Sequence, residues 1–363
     1  MSTAPTVYDV AERSGVSIAT VSRVFRTPDT VRAQTRERVL AAARELGYVP
    51  SGNARGLASR STGVLGLCLP DYSDPDVESE AEHGPGDEAE DDAAVLYADQ
   101  IIRGMERAAR RHGYALLIAA SPKGGPESQV AKVAGRSDGF AVMARTVPTE
   151  DLEVIAQRQP VVMLAGPREP DVHDHLDHVE VANADGQREL TRHLIEDHGL
   201  RRLTYVGAAE DSPDVRARFR GYVEACRAAG IPAPEEPDVS VGMMTQAEGA
   251  RAADALLDRP GERPQAVLFA NDQLAVGALH SFERRGVRVP KDIAVTGFDG
   301  IALGRLVRPA LTTVHQSMRQ MGEEAVELLV RRLTGRRGGG PVSKVLPVSV
   351  VRRASCGCAG QVK

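Results

Sequence analysis

The sequence predicts an all-α N-terminal head and a short hinge, followed by a two-lobed α/β core with parallel, doubly wound sheets. Three observations carry this. Helix start and stop signals crowd the first fifty residues. From Thr62 onward, short runs of Val, Ile and Leu alternate with helical patterns. The chain of 363 residues is longer than one hydrophobic core usually organises.

In the head, Thr6 is placed to cap a helix whose apolar positions are Val7, Val10 and Ala11. Gly15 ends that helix by supplying left-handed backbone. Ser17 caps the next, expected over Ile18–Phe25, and Pro28 with Asp29 marks a turn. A third helix is expected over Ala33–Leu46, with Val39, Leu40, Ala43 and Leu46 as its apolar stripe and Gly47 just past its end.

In the core, strands are expected at Val64–Leu69, Ala115–Ala119, Phe140–Met143, Val161–Leu164, Leu203–Val206, Ala266–Ala270 and Ile293–Thr296. Helices are expected at Ile101–His112, Gln187–Asp197, Val215–Ala229, Gln246–Leu257 and Leu274–Arg285, then a last helix, Gln316–Leu333, and a last strand, Val345–Val351. The resulting division is a head over 1–50, a hinge over 51–61, a first lobe over 62–180 plus 317–344, and a second over 181–316 plus 345–355. Residues 71–95 are read as an acidic, disordered insertion. Between Asp71 and Asp92 stand eleven acids with no Lys or Arg, a composition that cannot bury enough apolar surface to order itself.

Charge divides the chain. Residues 1–60 carry nine Arg against five acids, leaving 36 basic and 45 acidic residues for the remainder. A cationic head on an acidic body can face phosphate while the body stays in solution. No stretch offers about 18 unbroken apolar residues, so no membrane partner is expected. The N-terminus has neither the basic nor the apolar region of a secretion signal, which makes a cytoplasmic protein the expectation. Of the four cysteines, Cys68 and Cys226 read as buried thiols. Cys356 and Cys358 form a C-x-C without another cysteine or a histidine cluster close by in sequence, so no metal and no cofactor are called for. His173, His175 and His178 sit in a polar run read as a solvated connection.

Enzyme motifs are missing: there is no G-x-x-x-x-G-K-[ST] phosphate loop, no G-x-G-x-x-G after a first strand and no G-x-S-x-G elbow. A solute-binding module without a role on DNA and a purely architectural DNA protein are the other classes. The missing secretion signal and the intact helical head count against the first, and the large cleft-bearing core against the second.

The head instead fits a helix-turn-helix. Ala11, Gly15 and Val21 are small or apolar where two helices must cross closely. Asp9-Val-Ala, Gly15-Val-Ser, Thr20-Val-Ser-Arg, Thr35-Arg-Glu-Arg-Val and Leu46-Gly-Tyr-Val-Pro resemble, in order and spacing, the lactose/galactose-repressor (LacI-type) family. The resemblance runs along nearly the whole chain apart from the acidic segment, and it implies a core like that of periplasmic sugar-binding proteins. It also implies a homodimeric transcriptional regulator, a repressor, which binds a near-palindromic double-stranded operator under control of a small-molecule effector.

By the same resemblance, Ile18, Ala19 and Arg23 face base edges, with Arg23 suited to a bidentate contact with guanine. Thr6, Ser17, Thr20 and Ser22 contact phosphates. The hinge is by resemblance a short helix that forms only on the operator, since Gly52 and Gly56 disfavour it off DNA; Ala54 and Leu57 match the positions that wedge into the minor groove, with Arg55 near the backbone. In the core, Arg218, Asn271 and Asp299 match effector contacts, and Asp272 is expected to support its loop. Met244 stands where an aromatic commonly stacks on the effector, Ala165 replaces an acid that often holds sugar hydroxyls, and Leu96 and Tyr97 are candidates for the apolar contact. A sugar derivative is therefore a better expectation than an unmodified hexose.

Overall fold

The computed structural model describes residues 5–49, 61–70, 88–121, 129–144, 146–147, 149–166, 176–208, 212–335 and 340–358. The expected hinge contacts Ala54, Arg55 and Leu57 lie outside these, as do His173, His175 and the acidic stretch 71–87. The chain forms two units, 1–63 and 64–363, each described by itself.

The head holds α1 (Val7–Ser14), α2 (Ile18–Arg26), a 3₁₀ turn (Pro28–Thr30) and α3 (Ala33–Leu46). Its helix signals act as read. Thr6 and Asp9 form a reciprocal capping box, Gly15 and Gly47 end their helices at φ 64° and 69°, and the Ser17 hydroxyl accepts from the Thr20 amide at 3.3 Å. Val10, Ala11, Val21, Val24, Val39, Ala42 and Ala43 make one buried cluster. Arg13 and Glu45 pair at 2.9 Å across α1 and α3, but both stay half in solvent and add little.

The core contains two six-stranded sheets. The first comprises β1 (Val64–Pro70), β2 (Ala115–Ser121), β3 (Gly139–Met143), β4 (Val161–Leu164), β5 (Asp177–Val181) and β11 (Ser343–Leu346), in the order β11-β5-β4-β3-β1-β2. Every pairing in it is parallel. The second comprises β6 (Leu203–Ala208), β7 (Val239–Val241), β8 (Ala266–Phe269), β9 (Ala294–Asp299), β10 (Thr312–Gln316) and β12 (Val348–Val351), in the order β12-β10-β9-β8-β6-β7. Only β12 runs antiparallel, against β10. Central strands such as β3, β4 and β8 are buried at every residue, which is why they read as unbroken apolar runs; β9 is as fully buried but carries Thr296 and Asp299.

Helices cover both sheets: α4 (Glu88–Arg111), α5 (Gln129–Ala134), α6 (Thr149–Ala156) and α12 (Met318–Leu333) belong to the first lobe, while α7 (Asn183–Glu196), α8 (Pro213–Ala228), α9 (Gln246–Asp258), α10 (Asp272–Arg284) and the short α11 (Leu303–Leu306) belong to the second. Helix pairs approach closely through glycine. A Cβ on Gly277 of α10 would lie 1.8 Å from the Gln246 carbonyl oxygen, and one on Gly249 of α9 would lie 2.1 Å from that of Leu274.

Among the described residues, the chain passes between lobes at three single residues. Ala182 separates β5 from α7, Ser317 separates β10 from α12, and Pro347 separates β11 from β12. Ala182 (φ −73°, ψ 63°) and Ser317 (φ −84°, ψ 68°) both hold the sharp bend of an inverse γ-turn. The crossings lie side by side: the Ala182 amide donates to the Leu346 carbonyl at 3.0 Å, and Gln316 pairs with Val348.

Three expectations are corrected. The acidic insertion does not extend to residue 95, because α4 begins at Glu88. The last strand is two strands, because Pro347 cannot donate to a ladder and stands where the chain changes sheets. The polar run ending at His178 is not all connection, because Asp177 and His178 open the buried strand β5.

Candidate nucleic-acid interface and ligand site

On α2, the buried Val21 and Val24 fix which side faces inward. Ile18 (40% exposed), Ala19 and Arg23 then lie exposed, while Thr20 and Ser22 are half-buried. Ala19 and Arg23 are four apart and share a helix face. No carboxylate among the described residues pairs with the Arg23 guanidinium, which leaves its donor fork open. The hydroxyls are more committed. The Thr6 hydroxyl donates to the Asp9 carboxylate at 2.7 Å, and the Ser17 and Thr20 hydroxyls share a hydrogen bond at 2.9 Å. Only one hydroxyl hydrogen of that Ser17–Thr20 pair remains for an outside acceptor. Tyr8, 68% exposed beside the Thr6 cap, is a polar-tipped ring that the sequence reading passed over.

In the core, the candidate ligand residues collect at the carboxyl ends of strands, where α/β sheets hold their ligands. Arg218 on α8 is 5% exposed. Its guanidinium donates to Asn183 Oδ1 at 2.8 Å and to the Ala270 carbonyl at 2.7 Å, and meets Asp299 Oδ1 at 3.1 Å. The plane lies 3.9 Å from the Phe298 ring centroid, a cation–π arrangement. Asp299 also accepts from Gln316 Nε2 at 2.6 Å. Asn271 caps α10 through its Oδ1, and its Nδ2 donates to the Met244 carbonyl at 3.2 Å, so the half-buried Met244 meets this network through its main chain. Tyr97, on α4 of the other lobe, is half-buried against the first lobe's core and near enough to interact electrostatically with Arg218.

Sequence reading missed two members of this network. Asn183 bonds both Arg218 and Asp214 Oδ1, the latter at 2.6 Å. Asp214 also accepts from the Gly166 amide of the first lobe at 3.0 Å, a direct link between lobes. Asp272 supports its loop, accepting from the Ile301 amide at 2.8 Å and the Thr313 hydroxyl at 2.5 Å. Burial raises the carboxyl pKa of Asp214 and Asp299 against the pull of Arg218. Burial and the charge of Asp299 hold that of Asp272 well above the usual carboxylate range. Among the described residues, the two non-glycine residues with left-handed backbone are Ala165 (φ 63°) and Asp299 (φ 108°), both at the carboxyl end of a strand in this region. Backbone strain retained at one place points to function there. An open cavity of about 370 Å³ lies elsewhere, at the amino ends of β4 and β5, where Asp177 already takes Arg332.

The histidines absent from the sequence neighbourhood of the C-x-C are brought to it by the fold. His193 and His198, remote in sequence, lie against Cys356 and Cys358 in space.

A helix-turn-helix head with an unpaired arginine on its second helix, joined to a two-lobed core with a buried polar network at the strand ends, defines the class: a DNA-binding transcriptional regulator with an effector-binding core. Residues 6–51 match the bacterial regulatory proteins of the lacI family, and residues 191–356 match the periplasmic binding protein-like domain. The chain is 31% identical over 357 residues to the HTH-type transcriptional repressor CytR of Escherichia coli K12, covering 97% of this chain and 96% of that one. It is 32% identical to the HTH-type transcriptional regulator GalR of Salmonella typhimurium, covering 96% and 95%. Among solved structures it resembles a lac repressor dimer bound to operator and the anti-inducer ONPF, at TM-score 0.77 and 26% identity, covering 97% and 99%. It also resembles a transcriptional regulator CelR–cellobiose complex, at TM-score 0.67 and 30% identity, with the same coverage. The protein belongs to the LacI family. The relatives are regulators by name, not enzymes, and no helix among the described residues is long and apolar enough to cross a membrane.

Proposed function

We propose that this protein acts in the cytoplasm as a non-enzymatic homodimeric repressor on a near-palindromic operator. Two-fold symmetry places its two recognition helices in successive major grooves. Arg23 reads a guanine, and Ile18 and Ala19 offer apolar contact to thymine methyl groups. Ser17, Thr20 and Ser22 contact phosphates and set register; Thr6 can join them only by releasing Asp9. Ala54 and Leu57 of the hinge enter the minor groove, with Arg55 at the backbone. The observation that carries the reading is the exposed, carboxylate-free Arg23 on the face opposite the buried Val21 and Val24.

The effector is a small polyhydroxyl molecule, a sugar derivative, held by Arg218, Asn271, Asp299, Met244 and Tyr97. CelR was solved with cellobiose, which supports this class of ligand. Arg218 and Asp299 already satisfy one another, so the ligand must exchange into that network, and it shifts the protein only by its differential affinity for the two lobe arrangements.

Binding-site selection from random duplexes is expected to yield a near-palindrome. In Arg23→Ala, operator affinity should fall by about 1–3 kcal/mol and discrimination relax at one base pair of each half-site. An unchanged base preference removes Arg23 from the readers; no preference in the parent protein, with or without added metabolites, removes the proposal.

A further inference from the structure

We propose that His193, His198, Cys356 and Cys358 form a tetrahedral zinc site that staples the C-terminal segment of the second lobe to the end of α7. The four candidate ligand atoms lie within 4.8 Å of one another. His193 Nε2 stands 3.6 Å from Cys356 Sγ and 3.5 Å from Cys358 Sγ. His198 Nε2 stands 3.4 Å from Cys358 Sγ and 3.2 Å from His193 Nε2. With zinc–sulfur bonds of about 2.3 Å and zinc–nitrogen bonds of about 2.0–2.1 Å, a regular tetrahedron has S···N edges of about 3.55 Å and N···N edges of about 3.35 Å. Four of the six edges therefore match to within about 0.2 Å, and the other two, no longer than 4.8 Å, need to close by about 1.3 Å at most as the ligands draw in on the ion.

Hydrogen bonding alone accounts poorly for the cluster. One proton bridges one pair, whereas His193 Nε2 faces three partners at once. A cation at the centre satisfies all four lone pairs together. The surroundings have the form that ligating histidines require. His193 Nδ1 meets Asp197 Oδ2 at 2.7 Å, which places its proton on that nitrogen and turns the lone pair of Nε2 toward the sulfurs. Asp197 is held in turn by Arg352 at 3.3 Å. Gly357, between the two cysteines, takes φ 100°; this left-handed turn, open to glycine, brings both sulfurs round to the same side.

All four positions are filled by side chains, so the site is closed and its role is structural. Two thiolates and two imidazoles select zinc among the common divalent ions. The ligands are 163 residues apart between His193 and Cys356, so the ion closes a long loop whose ends are otherwise tied by hydrogen bonds.

The test uses the full chain. Purified without chelator, or loaded with zinc and desalted, it should retain close to one zinc per chain by elemental analysis. Cobalt added to the metal-stripped chain should give the visible bands of a tetrahedral site with sulfur-to-metal charge transfer. The double variant Cys358→Ser/His198→Asn should lose both signals, whereas Cys68→Ser, buried in the first lobe, should keep them. Asp197→Ala should weaken zinc affinity by about 10–100-fold. Chelator should lower the melting temperature of the parent and leave that of the double variant unchanged. If the double variant does not fold, the parent stoichiometry, the cobalt spectrum and Asp197→Ala decide. The proposal is overturned if the zinc-loaded parent holds no stoichiometric metal, if cobalt gives no tetrahedral spectrum, or if the double variant retains as much zinc as the parent. It is equally overturned if intact mass shows Cys356 and Cys358 joined as a disulfide in freshly purified protein.

Discussion

Replacing Arg218 with methionine is expected to lower the stability of the core by about 3–5 kcal/mol, measured as a fall in denaturant midpoint at unchanged slope. Methionine can fill much of the space, but it cannot donate to Asn183, to the Ala270 carbonyl or to Asp299, and it leaves the carboxyls of Asp214 and Asp299 in a buried setting without their cation. Removing one member of a buried pair costs far more than the pair contributes net, because the survivor keeps its desolvation penalty. The loss has a pH signature. Burial already raises both carboxyls above 3.8, with Arg218 opposing. An acid with a raised folded pKa binds more protons native than unfolded, so stability falls as pH climbs from that ordinary value through the folded one. Without Arg218 both values rise further, and the deficit should be smallest in acid and grow toward neutrality. A deficit below about 1 kcal/mol, or one flat with pH, would mean that the guanidinium is not the counter-charge it is taken to be.

Gly277→Ala is expected to destabilise by roughly 2 kcal/mol or more, although helix propensity alone argues the opposite. In an exposed helix the change would gain about 1 kcal/mol. Here the new methyl would sit 1.8 Å from the Gln246 carbonyl oxygen, which belongs to a packed helix and cannot swing aside as a side chain would. Forcing such an overlap costs about 1–3 kcal/mol and occasionally more, and the reciprocal approach of Gly249 to Leu274 closes the obvious route of relief. Gly242, with open space around it and no left-handed backbone, is the control and should accept alanine within about 0.5 kcal/mol. A melting temperature for Gly277→Ala equal to the parent's would show that the helices can slide apart freely.

How much of this was legible follows from where each signal resides. The head could be read almost residue by residue because capping is local: Thr6, Gly15, Ser17 and Gly47 each act within a few residues of themselves. Buried parallel strands such as β3, β4 and β8 were legible because nothing polar interrupts them. Strand β5 escaped because Asp177 and His178 look like loop residues until Arg332, 155 residues away, supplies the partner for Asp177 at 2.8 Å, and the Ala165 carbonyl, 3.3 Å off, one for His178. Strand β10 escaped for a similar reason: its Thr312 and Thr313 are wholly buried but satisfied from the distant Arg353, Ser355 and Asp272. Arg218, Asn271 and Asp299 were reached through family resemblance; Asn183 and Asp214, which tie them to the rest, had no signal in their own neighbourhood. The histidines facing the C-x-C are the extreme case, since no local pattern joins residue 193 to residue 356.

The three side-by-side passages at Ala182, Ser317 and Pro347 restrict what the lobes can do. Sliding one past the other would tear the ladder at all three places together, whereas swivelling about a line through them needs only small torsional adjustments at residues already bent. Those passages form an axle. Asn183 and Gln316 adjoin two of them and grip Arg218 and Asp299 respectively. A molecule that engages those two groups therefore applies its torque at the axle, where a small displacement becomes a large one at the far rim of each lobe.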